Sequence, residues 1–271
     1  MPSVIHHVAG LSLAVGPLNT LKILLTRILG VNSACWVAVR GVPDSLRVLL
    51  RPTESDLFVA SQIFGWKEYD VGSQRRQALN AVAGRWRLDG FNPVIIDGGA
   101  NVGYSSIYFA NAYPDAVVLA VEPNPTTFEV LKRNITGRDR IIPINAALWS
   151  HDAGVDIAAG DSGSWSDRVS DAGSASVIPS IRLDQLMGKV PSARPLIVKL
   201  DIEGAEREAC RVSQDILREA VCIIIEPHDF MLPGAGSLVP LFVAISGKEV
   251  DTLLLGENLI IMDIGILQHA S

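Results

Sequence analysis

Two groups of polar residues follow apolar runs, and their types and spacing define the chemistry open to this chain. After Val94-Ile95-Ile96 comes the turn Asp97-Gly98-Gly99-Ala100-Asn101-Val102-Gly103. Glycines at such a turn let the backbone bend sharply and approach a ligand closely, as in a nucleotide-binding crevice. The spacing is not the dinucleotide fingerprint, because Gly99 and Gly103 stand four apart with an acid just ahead of them. Asp97 would repel a pyrophosphate at so tight a loop and suits a ligand carrying an ammonium group. S-adenosylmethionine carries one at its methionyl end and has no phosphate. Glu122 ends the next apolar run, 25 residues beyond Asp97. An acid in that place accepts hydrogen bonds from both hydroxyls of an adenosine ribose.

The second group sits further on. Asp201 and Glu203 follow Leu196 to Leu200, and Glu226 and His228 follow Val221 to Ile225. Adjacent parallel strands would bring these four side chains to one crevice edge. A hydroxyl that accepts a methyl group must lose its proton, and a neutral imidazole with a pKa of about 6.5 takes one at neutral pH. In one reading His228 is the general base and Asp201 or Glu226 orients it. In the other, Asp201, Glu226 and His228 hold a divalent cation such as Mg²⁺ that lowers the hydroxyl's pKa. Glu203 and Glu206 also read as acids at a helix N-terminus, facing the macrodipole and its free N–H groups. Lys199, inside the strand, reads as structural support paired with a core carboxylate. Trp149 and Trp165 flank a Gly/Ser-rich stretch and read equally as pocket wall or ordinary packing. His6-His7 reads as a solvated pair and His151 as a loop residue.

These residues need a scaffold that gathers strand ends. Strands are expected at Val94 to Ile96, Ala116 to Val121, Arg140 to Ile144, Leu196 to Leu200 and Val221 to Ile225. Helices are expected at Ser105 to Ala112, Pro125 to Ile135 and Ala205 to Arg218. Continuous apolar strands between helices describe a parallel sheet buried on both faces. The fold class is therefore α/β, a doubly wound Rossmann-like sheet with ligands outside the strands' carboxyl ends. Runs near Val250 to Leu255 and Asn258 to Met262 add a terminal antiparallel strand pair around Gly256-Glu257. Residues 1–90 read as an α+β appendage to the 91–271 domain. It would hold a hairpin of Trp36 to Arg40 and Leu46 to Leu50 about Gly41-Val42-Pro43-Asp44-Ser45. Helices would follow from Leu57 to Phe64 and from Ser73 towards Trp86.

Several segments together resemble the FkbM family of S-adenosylmethionine-dependent methyltransferases. They are Val94 to Gly103, Ala120-Val121-Glu122-Pro123-Asn124-Pro125, Leu131-Lys132-Arg133-Asn134, Val198 to Glu206, and Ile224-Ile225-Glu226-Pro227-His228. The resemblance implies a class I methyltransferase fold with S-adenosyl-L-methionine across the carboxyl edge. It places Asp97, Gly99, Asn101 and Gly103 at the methionyl part, Glu122 with Asn124 at the ribose, and Ala147, within Asn145 to Leu148, near the adenine. The implied reaction is O-methylation of a small molecule, sugar or glycan. A nicotinamide-dependent dehydrogenase and a non-catalytic cofactor-binding subunit are the rival readings.

Composition sets the outer bounds. The chain has 271 residues, 48% of them hydrophobic, 19% charged, with a net charge of -6. A mean hydropathy of +0.30 and a pI of about 5.4 describe a chain that buries a sizeable core and lacks a nucleic-acid footprint. Cys35, Cys210 and Cys222 share no metal or redox spacing, which fits buried thiols and a cytoplasmic location. The uncharged run from Val8 to Leu21 is interrupted by Gly10, Gly16 and Pro17 and has its positive charges after it, unlike a spanning helix or signal peptide. Leu18, Leu21, Leu24, Leu25 and Ile28 recur at helical spacing. The stripe is expected to pack on this chain or on a second copy, with peripheral membrane contact through residues 8–29 the other reading.

Overall fold

The computed structural model describes residues 4–31, 33–40, 46–158, 168–171, 177–229 and 233–268. Seven strands form the central sheet: β1 (Asn92–Gly98), β2 (Val117–Val121), β3 (Ile141–Ile144), β4 (Ala193–Leu200), β5 (Cys222–Ile225), β6 (Val250–Leu255) and β7 (Asn258–Asp263). Their spatial order is 3-2-1-4-5-7-6. All neighbours from β3 to β5 pair in parallel, and β7 runs antiparallel to both β5 and β6. The chain winds outward from β1 in one direction and then returns to build β4 and β5 on its other side. The crevice therefore lies above β1, at the topological switch point.

Each face of the sheet carries its own core. On one face Ile95, Val118 and Ile197 pack with residues of α4 (Ser73–Leu88), α5 (Tyr104–Ala112) and α6 (Pro125–Asn134). On the other, Ile96, Leu119, Val198 and Ile223 meet Leu186, Cys210, Leu217 and Leu241. The helix expected over Ala205 to Arg218 is two helices, Glu206–Arg211 and Gln214–Glu219, broken at Val212-Ser213. Cys210 and Cys222 are buried and Cys35 is exposed.

The first ninety residues extend the first of these cores. Leu11, Val48, Leu50, Ile63 and Phe64 join Tyr104, Ile107 and Phe109 in one cluster. Strands Cys35–Ala38 and Arg47–Leu50 pair antiparallel; the expected turn between them lies outside the described residues. A buried amide pins this hairpin down. Asn134 accepts from Leu49 N at 2.6 Å and donates to the carbonyls of Val102 and Leu49, while the Tyr104 hydroxyl donates to Leu49 O at 2.9 Å. The strand's backbone polar groups are thus satisfied away from water, which is the condition for burying them. Helix α3 (Glu54–Ala60) continues as a π-helical turn, Ser61–Trp66, where an unbroken α-helix was expected, and ends at Lys67 in the left-handed conformation (φ 58°).

The amino-terminal apolar segment forms α1 (Val4–Val15) and α2 (Pro17–Ile28), separated by Gly16 at φ 85°. No helix of the described residues is long and apolar enough to cross a membrane. In α1, Leu11, Ala14 and Val15 are buried. In α2 the residues turned inward are Thr20 and Ile23, and the expected packing stripe faces out: Leu18 is 83% exposed, Leu21 56%, Leu25 49% and Ile28 78%. Periodicity identifies a helix face and not what covers it, and the turn at Gly16-Pro17 re-aims this one away from its own core. Leu11→Ala is therefore expected to cost about 2–5 kcal/mol of stability. Leu25→Ser should stay within about 0.5 kcal/mol. Equal losses in urea unfolding would mean that the stripe is packed on its own chain.

Candidate active site

The turn after β1 is braced from three sides. Gly99 takes φ 73°, and a Cβ there would lie 1.8 Å from the carbonyl oxygen of Asp201, so only glycine lets this turn meet the end of β4. Asn101 is also left-handed, at φ 50°. Glu122 holds it, accepting from Asn101 N at 3.0 Å on one oxygen and from Asn124 N at 2.8 Å on the other. The carboxylate expected to bind ribose thus links the first two crossovers. Asn124 caps α6, its side chain accepting from Thr126 N and Thr127 N. Asn145 donates to the carbonyls of Glu122 and Pro123. Ala147 is buried in a two-residue strand paired with Ser180-Ile181.

Asp97 differs from its expected setting. Its side chain has no exposed surface. One oxygen accepts from Ser105 Oγ at 2.7 Å and from Ser106 Oγ, and the other lies 3.4 Å from Lys199 Nζ with no hydrogen-bond partner. A ligand ammonium cannot touch a carboxylate sealed in this way, so Asp97 acts through the turn it anchors. The contrast with pyrophosphate loses force because Lys199 offsets the charge. Lys199 is buried as well. It donates to the carbonyls of Gly98 and Gly99 at 3.0 and 2.9 Å and stands 3.3 Å from Asp201 Oδ2.

Asp201, Glu203, Glu226 and His228 do converge at the ends of β4 and β5. His228 Nε2 stands 3.5 Å from Glu203 and 3.6 Å from Glu226, and Nδ1 is 2.7 Å from Glu206 Oε1. Glu206, not Asp201 or Glu226, is the carboxylate that orients the ring. The left-handed pair Glu203 (φ 52°) and Gly204 (φ 93°) folds the chain back so that the first residue of the next helix sits beside His228. The same Glu206 oxygen accepts from Gly204 N at 3.2 Å, which retains part of the helix-start role expected of it. Among the described residues, Asp201, Glu203 and His228 have ligating atoms that all lie within 4.8 Å of one another, so Glu203 replaces Glu226 in that set.

The charges strain against one another. Burial, then Asp201, raises the Glu203 carboxyl to about 7 and the Glu226 carboxyl to about 9. Burial works to lower His228, but the hydrogen bond and charge of Glu206, with Asp201 and Glu203, prevail and raise it to about 9. At neutral pH His228 is an imidazolium among acids, whereas a neutral ring was expected.

Outside these clusters the candidates are structural. Trp149 packs with Ala147, Val155 and Ala205. His151 shapes a turn, its Nδ1 accepting from Ala153 N. Trp165 lies outside the described residues. His6 stacks on Trp66 with ring centroids 4.3 Å apart.

A 3-2-1-4-5-7-6 sheet with an antiparallel seventh strand, a glycine turn after β1 and an acid closing β2 defines a class I Rossmann-like methyltransferase fold. Within that class the chain belongs to the family described as the methyltransferase FkbM domain, whose pattern matches residues 97–255. Among proteins it resembles, the methyltransferase sdnD of Sordaria araneosa is 44% identical over 55 residues, 20% of this chain and 21% of that one. The hexuronic acid methyltransferase AglP of Haloferax volcanii is 32% identical over 142 residues, 50% of this chain and 56% of that one. The chain spans less than two thirds of the length of these relatives. Aeropyrum pernix fibrillarin, solved with S-adenosyl-L-methionine bound, gives a TM-score of 0.38 at 11% identity over 69% of this chain and 76% of that one.

Proposed function

We propose that this chain is an S-adenosyl-L-methionine-dependent methyltransferase acting on a hydroxyl oxygen of a sugar or small polyol. The observation that carries the reading is the linked pair of crossovers. Glu122 ties the glycine turn to the end of β2, accepting from Asn101 N and Asn124 N, and Gly99 brings that turn against β4, which places a rigid glycine turn and a carboxylate together at the switch point. The residues fit the cofactor: Gly99, packed against the Asp201 carbonyl, fixes the turn that would face the methionyl part, and Glu122 at the end of β2 suits a ribose. Asn101 and Gly103 would line the methionyl part, with Ala147 beside the adenine. When bound, the cofactor supplies an electrophilic methyl group. The antiparallel β7 also departs from the 3-2-1-4-5-6 order of dinucleotide enzymes, which favours this reading over a dehydrogenase. The name of the relative AglP supports a sugar acceptor.

The protein's part is to align the acceptor oxygen and remove its proton. His228 is placed for that, fixed at Nδ1 by Glu206, with Nε2 towards Glu203 and Glu226. It must first give up its own proton, so the rate should rise with pH towards about 9. A divalent ion on Asp201, Glu203 and His228 would be another route to the same alkoxide. A chelator leaves the rate unchanged in the imidazole route and abolishes it in the metal route. The test of the reading is a calorimetric titration with S-adenosylhomocysteine and NAD: the first should bind and the second should not. NAD binding alone would overturn it.

A further inference from the structure

A cavity of about 250 Å³ lies between α1, the π-turn and the Gly256-Glu257 turn joining β6 to β7. Aromatic rings line it: Trp66 with His6 stacked on it at 15°, and Phe58 against His7 at 4.5 Å. The carboxyl side chains of Glu68 and Glu257 line it as well. Glu68 packs so closely over Gly256 that a Cβ there would lie 2.5 Å from its carboxyl carbon. The Gly256-Glu257 turn stands at the carboxyl edge of the sheet, since Leu259 pairs with Ile225 at the end of β5; burial, then Glu257 and Asp201, raises the Glu68 carboxyl to about 7. Its neighbour Tyr69 lies under Lys199 Nζ, 5.8 Å from the ring centroid. The appendage thus supplies a wall beside the ends of β4 and β5, where an acceptor has to enter.

We infer that this cavity is the acceptor subsite and takes one uncharged hydroxylated ring, with the stacked His6–Trp66 pair against its C–H face and Glu68 and Glu257 accepting from its hydroxyls. The inference rests on the methyltransferase reading and specifies its substrate. The size suits a single ring, at or below the low end of the ~300–1,000 Å³ range of small-molecule sites. Aromatic rings and polar acceptors in one cavity match a pyranose, which has an apolar face and a hydroxyl edge. A carboxylate accepts hydrogen bonds and a protonated carboxyl also donates, and a hydroxyl can meet either form. An anionic ring would add a further negative charge beside Glu68, Glu257 and Asp201, and like charges repel strongly where water is scarce. A carboxyl titrating near neutrality can both donate and accept, which suits a hydroxyl better than an ammonium group. The acceptor is therefore a neutral sugar unit, in contrast to the hexuronic acid in the name of AglP.

Saturation-transfer NMR on the full chain with S-adenosylhomocysteine present tests this, using methyl glucopyranoside, methyl glucuronoside and glucosamine as probes. The neutral glycoside should bind at least about tenfold tighter than the uronoside, and Trp66→Ala should weaken it about tenfold. Glu68→Gln with Glu257→Gln should narrow the gap to the uronoside about tenfold. If Trp66→Ala lowers the melting temperature, Glu257→Lys at the exposed turn replaces it and should shift preference towards the uronoside. Tighter binding of the uronoside or glucosamine, no binding of any probe, or indifference to these substitutions would overturn the subsite. Calorimetry with S-adenosylhomocysteine on the same samples separates the two levels: retained binding leaves the methyltransferase reading standing, and lost binding removes that as well.

Discussion

Lys199→Met is expected to lower stability by about 3–5 kcal/mol, because it leaves buried acid without its counter-charge. The ammonium is 1% exposed and Asp97 is 0% exposed, so water cannot take over the lost interactions. Burial opposes the lysine's charge, while Tyr69, Asp201 and Asp97 favour it and hold its pKa above the ordinary lysine value. The same substitution strips donors from the carbonyls of Gly98 and Gly99, loosening the turn that must face the cofactor. For a chain of this size each kcal/mol moves the melting temperature by roughly 2–4 °C, so a fall of roughly 10 °C is expected in calorimetry. Adding Asp97→Asn should restore part of it by removing the stranded charge. A fall of a degree or two, or no rescue, would show that Lys199 and Asp97 are not a charged pair in the fold.

The sheet was legible because its strands are buried on both faces. Runs such as Val94-Ile95-Ile96 and Ile223-Ile224-Ile225 tolerate nothing polar until they end, and where they end the site begins. The convergence of Asp201, Glu203, Glu226 and His228 followed from strand order alone. What was not legible depended on single backbone angles or on the third dimension. Glu206 read as a helix-start acid because nothing in Glu203-Gly204-Ala205-Glu206 announces a left-handed residue at Glu203, and that turn is what carries Glu206 to His228. Asp97 reads as an acid facing a ligand's ammonium group because the serines and lysine that seal it lie 8, 9 and 102 positions away. The appendage's contribution was hidden for a similar reason. Glu68 and Trp66 acquire their setting from Gly256, Glu257 and His6, at the far ends of the chain.

The Glu206–His228 pair carries the other large effect. His228→Ala should slow methyl transfer by about 10²–10⁴-fold if the imidazole takes the acceptor's proton. Affinity for S-adenosylhomocysteine should hardly change, since the contacts assigned to the cofactor lie on β1 to β3. Glu206→Gln separates orientation from charge: the amide oxygen can still accept from Nδ1–H, while the carboxylate's pull on the proton is gone. His228 should then titrate well below about 9, and the pH–rate profile should move to lower pH with it. The sign of the linked stability is fixed by the same shift. The folded pKa lies above the unfolded value of about 6.5, so the pair's stabilisation is complete below that pH and is lost as pH rises towards about 9. Glu206→Gln should flatten that loss. An NMR titration of His228 with an unmoved midpoint, or a pH–rate profile that stays in place, would leave Glu206 as a structural acid and shift the proton-accepting role to Glu203, whose carboxyl already stands at about 7.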